Sequence, residues 1–196
     1  MVDELWIGPA SRDDYYAIGL MHASAYVNCY GKFIEPKLLA GADATSFIRS
    51  YFELTMTQGL TIWVAKLAGT PVAVAIFGPE PVGLNSSPGT SDAASDGRRG
   101  WIEALYVDHN KVRDHIGQRL LETISEQMDF AVIALDCAKL NKDGCAFWEK
   151  MGFRRYGDGL AHPVAGYGNV DTVRYVRERV DGKESPLREE NSPFES

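Results

Sequence analysis

The sequence lacks any long uninterrupted apolar run. Its most apolar stretch, Leu60 to Phe77, is interrupted by a lysine, a glycine and a proline, whereas a membrane-spanning helix requires roughly 20 consecutive apolar residues. The first residues, MVDELWIGP, carry acidic side chains where a secretory signal carries basic ones followed by an apolar core. We therefore expect a cytoplasmic protein that is not inserted in a membrane.

Cysteines are also few. Cys29, Cys137 and Cys145 are odd in number and show neither CxxC nor Cys/His ligand spacing, so neither a disulfide framework nor a zinc site is indicated. We expect reduced thiols and no bound metal.

Basic residues are outnumbered, with 20 Lys and Arg against 27 Asp and Glu and a formal net charge of −7. Nonspecific binding to nucleic acid depends on neutralising phosphates, so this balance argues against a nucleic-acid partner. The charge is compatible with cationic substrates but does not select one.

The composition is that of a globular protein of ordinary size. With 196 residues, 45% of them hydrophobic and 24% charged, the chain is long enough for one well-buried core and short for two. We expect a single domain over residues 1–180 and a polar, disordered tail over residues 181–196. The stretch between Pro79 and Gly100 is rich in Gly, Ser and Asp and predicts a long loop.

Hydrophobic periodicity predicts three helical pieces before most of a sheet, and hence an α/β (α+β) fold. The expected features before the loop are a strand at Leu5–Ile7, a helix from Ser11 to Gly31, a short helix at Pro36, a helix starting at Thr45 or Ser46, and strands at Leu60–Leu67 and Val72–Phe77 joined by a turn at Gly69–Pro71. The expected features after it are a helix at Asp143–Met151, a strand at Phe153–Tyr156, a hairpin connection at Gly157–Asn169 and a strand at Asp171–Arg179, in which Val173 and Tyr175 alternate against Thr172 and Arg174.

The central unit lies between these two groups. Trp101–Val107 is typical of a buried strand, apolar residues from Ile116 recur with helical spacing, and Phe130–Asp136 is long enough for a second buried strand. Together they predict a βαβ unit with parallel strands. The turn before the helix, flanked by Lys111 and Arg119, suits a phosphate, although every strand-to-helix turn has this backbone geometry and an ordinary structural turn is the alternative.

Two motifs together resemble the GNAT superfamily of acyl-CoA-dependent N-acetyltransferases. The first is a strand, a short loop, a glycine-containing turn and an apolar helix; the second is an Asn, a small residue, an aromatic pair and Gly-Phe. The first spacing is kept by Val107, Ile116-Gly117 and Leu120-Leu121, and the second by Asn141, Ala146, Phe147-Trp148 and Gly152-Phe153.

The resemblance implies a mixed, mostly antiparallel central sheet flanked by helices, with a parallel βαβ core. It also implies direct transfer of an acetyl group from acetyl-CoA, as co-substrate, to a primary amine of a small molecule or peptide. A homodimer would be compatible with it.

The same resemblance assigns residues to the coenzyme. Strand residues would pair with the pantetheine arm, amides of the turn would hold the pyrophosphate, and two residues of the second motif would lie near the arm. These three groups are, in order, Leu105, Tyr106 and Val107; Val112, Arg113, His115, Gly117 and Gln118; and Asn141 and Trp148. For Asn141, a helix N-cap is an equally good interpretation.

The sequence departs from the family pattern at three positions. His115 replaces the first glycine of the turn, where a β-carbon narrows the approach of a pyrophosphate, and Val112 replaces the usual Gln or Arg. Trp148 replaces a tyrosine that protonates the departing thiolate, and an indole N–H is not a useful acid. A catalytically weakened, regulatory acyl-CoA-binding module of the same fold is therefore the alternative to an enzyme.

Glu103 is the candidate catalytic residue. An amine must lose a proton before it attacks a thioester, and a carboxylate on the central strand can take that proton directly or through water. Spermidine/spermine acetyltransferases look similar here. The alternative is a structural glutamate paired with Arg98, Arg99 or Lys66.

Overall fold

The computed structural model describes residues 4–81, 99–112, 114–164 and 167–178. Within these ranges the chain forms nine strands and four α-helices. The strands are β1 Leu5–Pro9, β2 Thr61–Leu67, β3 Thr70–Pro79, β4 Arg99–Val107, β5 Val132–Ala138, β6 Arg154–Asp158, β7 His162–Val164, β8 Gly168–Val170 and β9 Thr172–Glu178. The helices are α1 Tyr15–Tyr30, α2 Ala44–Thr57, α3 Ile116–Gln127 and α4 Lys142–Lys150.

Seven strands form one mixed sheet in the order β1-β2-β3-β4-β5-β9-β6, while β7 and β8 form a separate hairpin. Every neighbouring pair in the large sheet is antiparallel except β4 and β5, which are parallel and joined through α3. The predicted fold class, a mostly antiparallel mixed sheet with a parallel βαβ core, is confirmed.

The helices cover the two faces of the sheet. On one face, Leu120, Leu121 and Ile124 of α3 pack in a core with buried residues of β4 and β5, and Trp148 of α4 joins them. On the other face, Ile18 of α1 and other buried residues of α1 and α2 pack against β2 and β3. This two-sided burial explains why the central strands are apolar throughout instead of alternating.

Two local predictions are corrected. The β2–β3 turn consists of Ala68 and Gly69, at φ 47° and 79°, with Thr70 already in β3, because a two-residue turn with positive φ matches the twist of paired strands. Helix α2 begins at Ala44 and not at Thr45 or Ser46, because Asp43 is its N-cap and accepts a hydrogen bond of 2.8 Å from Ser46 N at Oδ1.

Several predictions stay predictions. The tail, residues 82–98 of the predicted loop and Arg113 lie outside the described residues, so the domain bounds are not tested. No helix in the described ranges is long and apolar enough to cross a bilayer. The cytoplasmic location and the homodimer also stay predictions.

Candidate active site

The sheet splits between its two parallel strands. Strand β4 pairs with β5 only from Arg99 to Trp101, opposite Val132 to Ala134, although β4 continues to Val107 and β5 to Ala138. Past Trp101, β4 remains paired with β3 on its other edge. Backbone groups on the facing edges of β4 and β5 are consequently available to a ligand lying in the split.

Glu103 lies at a β-bulge at the start of this split. In the β3–β4 ladder, Phe77 pairs with Ile102 and Ile76 pairs with Ala104, so Glu103 is the extra residue. Ile102 packs on the α3 side of the sheet, whereas Ala104 packs on the α1 side. The bulge thus interrupts the alternation of faces at Glu103, as bulges do where they redirect a side chain.

The Glu103 side chain is exposed to the cavity and has a partner that the sequence did not suggest. Oε2 accepts a hydrogen bond of 2.8 Å from Trp101 Nε1. Two of the proposed ion-pair partners are engaged elsewhere, since Arg99 Nε lies 2.6 Å from Glu80 and Lys66 Nζ lies 2.5 Å from Asp14. Arg98 lies outside the described residues.

A cavity of about 540 Å³ follows the split. All ten predicted site residues that the structure describes line it, and the eleventh, Arg113, lies outside the described residues. The ten are Glu103, Leu105, Tyr106, Val107, Val112, His115, Gly117, Gln118, Asn141 and Trp148. The volume is in the range of ligand-binding sites.

The turn before α3 lies at one end of this cavity, and its residues His115, Gly117 and Gln118 line it. His115 precedes the helix at φ 56°, a left-handed conformation that glycine adopts without strain and other residues adopt at a cost. Gly117 lies tight against the strand, because a β-carbon there would be 3.2 Å from Val107 Cγ2 and 3.6 Å from Leu105 Cδ2. The N-terminus of α3, with its positive dipole end, therefore lies directly beside the split.

Helix α4 forms the opposite wall. Asn141 is the N-cap of α4, with Oδ1 accepting a hydrogen bond of 3.0 Å from Gly144 N, and it also lines the cavity. Trp148 is 7% exposed and its ring packs edge-on against Phe147 and Phe153, at centroid distances of 5.0 and 5.3 Å. Both interpretations of Asn141 are therefore compatible with its position.

A buried ion-pair cluster lies beside Glu103 on the α1 side. Asp136 of β5 accepts two hydrogen bonds from Arg174, at 2.6 Å from Nε and 2.8 Å from the terminal nitrogen, and one of 2.9 Å from Leu160 N. Arg174 also lies 3.7 Å from Glu80. The side chains of Arg174, Asp136 and Glu80 are only 4%, 11% and 2% exposed, so the charge of Asp136 is neutralised by its partner. Asp136 and Glu103 both line the cavity, but Glu103 differs from Asp136 in being exposed.

The Asp136 hydrogen bond to Leu160 fixes the segment that leads to His162. Thr172 Oγ1 also donates to Leu160 O at 2.6 Å, and the His162 ring stacks on Tyr30 at 6.3 Å. Burial lowers the pKa of His162, and the carboxylates of Glu103 and Asp136 oppose that shift. His162 therefore interacts electrostatically with Glu103.

An ion pair bridges the two sides of the cavity. Lys32, just after α1, donates to Asp143 in the first turn of α4 at 2.5 Å, and both side chains line the cavity while being more than half exposed. Pairs this exposed contribute little to stability.

The thiols are free, and the Sγ atoms of Cys137 and Cys145 lie 3.9 Å apart.

The sequence predicted residues that line the cavity, but it did not predict the buried residues that lie beside Glu103. A lone carboxylate in an apolar strand, as at Asp136, requires a buried partner, and that signal could have predicted a buried cation beside it, although not that the cation is Arg174. The alternation predicted for the last strand places Arg174 on an outward face, which is wrong because β9 is buried on both faces over Thr172 to Val176.

In the described ranges, no group of three or more His, Cys, Asp or Glu is placed to hold a metal ion.

Comparison with known proteins gives concordant matches. Residues 30–153 match the sequence profile of the acetyltransferase (GNAT) family. A probable N-acetyltransferase from Mycobacterium tuberculosis is 29% identical over 172 residues, which cover 86% of this chain and 91% of that protein.

Two solved structures share the fold. An acetyltransferase from Thermus thermophilus aligns with a TM-score of 0.66 and 17% identity, covering 91% of this chain and 100% of its own. The PaiA N-acetyltransferase from Thermoplasma acidophilum, solved in complex with coenzyme A, aligns with a TM-score of 0.61 and 15% identity, covering 90% and 99%.

Proposed function

This chain belongs to the GNAT family of acetyltransferases, and on that premise we propose that it moves the acetyl group of acetyl-CoA directly to a primary amine, with Glu103 as general base. The observation that carries the proposal is the exposed carboxylate of Glu103 at the bulge where β4 leaves β5. There the acetyl end of a coenzyme lying in the split and an amine entering from the α1 side would meet.

The split suits acetyl-CoA on chemical grounds. Pantetheine carries two amides that can replace the missing ladder between Leu105–Val107 and β5, as an added strand does at a sheet edge. The amides of Gly117 and Gln118 lie in the first turn of α3, where a helix N-terminus suits the pyrophosphate. Lys150 and His109 also line the cavity and would add donors for the remaining phosphate oxygens.

The reaction then needs few groups. Glu103 takes a proton from the ammonium, directly or through water, and the neutral nitrogen attacks the thioester carbonyl. Backbone N–H groups of the split part of β4 polarise the carbonyl oxygen. The carbon–sulfur bond breaks and the coenzyme leaves as a thiolate. The nitrogen loses its second proton as the amide forms, and water carries that proton to the thiolate, because Trp148 has no acidic proton to give.

The test is a panel of diamines, polyamines, aminoglycosides, amino acids and peptide N-termini incubated with acetyl-CoA, with thiol release and product mass as readouts. We expect at least one amine to be acetylated, and Glu103→Gln to lower kcat by about 10²–10⁴-fold, the usual contribution of a general base. Glu53→Gln, at an exposed position on α2, is the matched control and should leave kcat unchanged.

Three results would overturn parts of the proposal. Binding of acetyl-CoA without transfer to any amine would favour the regulatory module. Acetyl transfer that is insensitive to Glu103→Gln would leave the acetyltransferase but remove Glu103 from its chemistry. An acyl-enzyme detected by mass before the amine is added would exclude direct transfer.

A further inference from the structure

The side chain of Trp101 reaches Glu103. Its Nε1 donates to Glu103 Oε2 at 2.8 Å, while Trp101 itself is only 5% exposed. An indole has a single polar hydrogen, and here that hydrogen is directed from the core at the carboxylate in the cavity.

The indole of Trp101 is fixed by backbone pairing and by contacts with residues of β5 and β9. Trp101 is the last residue of β4 to pair with β5, opposite Ala134, and it also pairs with Gly78 of β3. Its ring packs with Ala134 and Val176, and the Arg174 guanidinium lies 5.1 Å above the ring centroid. Because Arg174 is itself bound by Asp136, the ring is fixed through β9 as well.

Glu103 lies in the opposite situation. Two residues further along β4, it is past the last β5 pairing and within the bulge, and its side chain is exposed. A glutamate side chain with three rotatable bonds loses considerable rotamer entropy when it is fixed. A hydrogen bond from a rigid donor removes much of that freedom before a substrate arrives.

We infer that Trp101 is a positioning residue for the acetyl transfer: its indole N–H holds one oxygen of Glu103, stabilises the ionised carboxylate, and leaves the other oxygen directed at the amine. The buried Asp136–Arg174 pair acts one step further away, by fixing the indole. This inference rests on the proposed role of Glu103.

The contact can be tested without an acceptor by following the indole N–H signals in ¹H–¹⁵N spectra of the full chain. The Trp101 signal is identified by its loss in Trp101→Phe. We expect it to move as the pH falls from about 7 to about 4, toward the range in which glutamate carboxyls become protonated. We expect the movement to be lost in Glu103→Gln. If the position of the Trp101 signal changes neither with pH nor with the substitution Glu103→Gln, the inference is overturned.

Kinetics test the consequence. Trp101→Phe keeps a ring beneath Arg174 but removes the donor. With the best amine of the panel at saturation, we measure kcat as a function of pH. We expect the acidic limb of this pH profile to shift to higher pH by about one unit, so that kcat at a given pH on the limb falls about tenfold. Well above the limb, where the carboxylate is ionised in either case, we expect a loss of less than about threefold.

The control is Trp63→Phe, on β2 and packed against Phe77, which should leave the profile in place. An equal loss of kcat at all pH values in Trp101→Phe would mean a merely structural role and would overturn the inference. If no amine is acetylated by the unsubstituted chain, the proposed function fails, while the indole titration still decides the contact. If Glu103→Gln is inactive and Trp101→Phe keeps the original profile, only the inference fails.

Discussion

His22 is a titratable side chain enclosed by aromatic rings. It is 3% exposed, its Nδ1 shares a hydrogen bond of 2.8 Å with the Tyr51 hydroxyl, and its ring lies 4.0 Å from that of Phe47 and 4.5 Å from that of Tyr106. Burial lowers the pKa of His22 to about 3. The imidazole is therefore neutral in the folded protein at any pH near neutrality.

This residue predicts a pH dependence of stability. Unfolded His22 takes up a proton near pH 6.5, so its favourable contribution is fully present above that value and is lost as the pH falls toward 3. Between about pH 7.5 and about pH 5 we expect its share of the unfolding free energy to fall by about 2 kcal/mol. Urea unfolding at both pH values measures the total dependence.

The matched variant is His22→Asn, which keeps a polar atom toward Tyr51 but does not titrate in this range. It should be less stable at pH 7.5 and show a flatter pH dependence than the unsubstituted chain. An unchanged pH dependence in His22→Asn would show that His22 is not the group responsible, and His162, whose pKa burial also lowers, would be the next candidate.

At the scale of elements, the start of α3 is built with a strained residue. His115 adopts φ 56°, so His115→Gly should relieve a left-handed conformation while adding freedom to the unfolded chain. We expect the free energy of unfolding to rise by about 0.5–1 kcal/mol, which raises Tm by about 1–4 °C. Thermal unfolding measures it.

The control for this prediction is His109→Gly in the same loop. His109 begins a short 3₁₀ turn, His109–Lys111, and has no positive φ, so glycine there should cost stability. If both variants lower Tm, the conformation of His115 is not a source of strain.

Elements with strong periodicity were predictable from sequence, whereas their partners were not. The spacing of Ile116, Leu120 and Ile124 predicts α3, and the strand before it follows from its apolar run. Trp101 and Glu103 are two residues apart on β4, so strand alternation places them on one face, but no local pattern marks the bulge at Glu103 or the hydrogen bond between the two side chains. Asp136 and Arg174 meet only because β5 and β9 pair in that register, and such long-range register is set by the whole sheet.

At the scale of the molecule, the site is a consequence of one topological fact. A mostly antiparallel sheet contains one parallel pair, β4 and β5, and that pair is joined over only three positions. The helix that connects the two strands begins beside the split, so its N-terminus, the strand edges of the split and Glu103 lie along one cavity. Resemblance to the family could assign residues to this arrangement, but the depth of the split and the direction of Glu103 required the three-dimensional fold.

The most direct test of the β4–β5 split as the coenzyme site is calorimetric titration of the protein with acetyl-CoA, with ATP as the comparison ligand and Glu103→Gln as the second protein. We predict binding of one acetyl-CoA per chain, binding of ATP that is at least about tenfold weaker because ATP has no pantetheine arm to fill the split, and unchanged acetyl-CoA affinity in Glu103→Gln. Absence of acetyl-CoA binding, or equal affinity for ATP, would contradict the assignment of the split as the acetyl-CoA site.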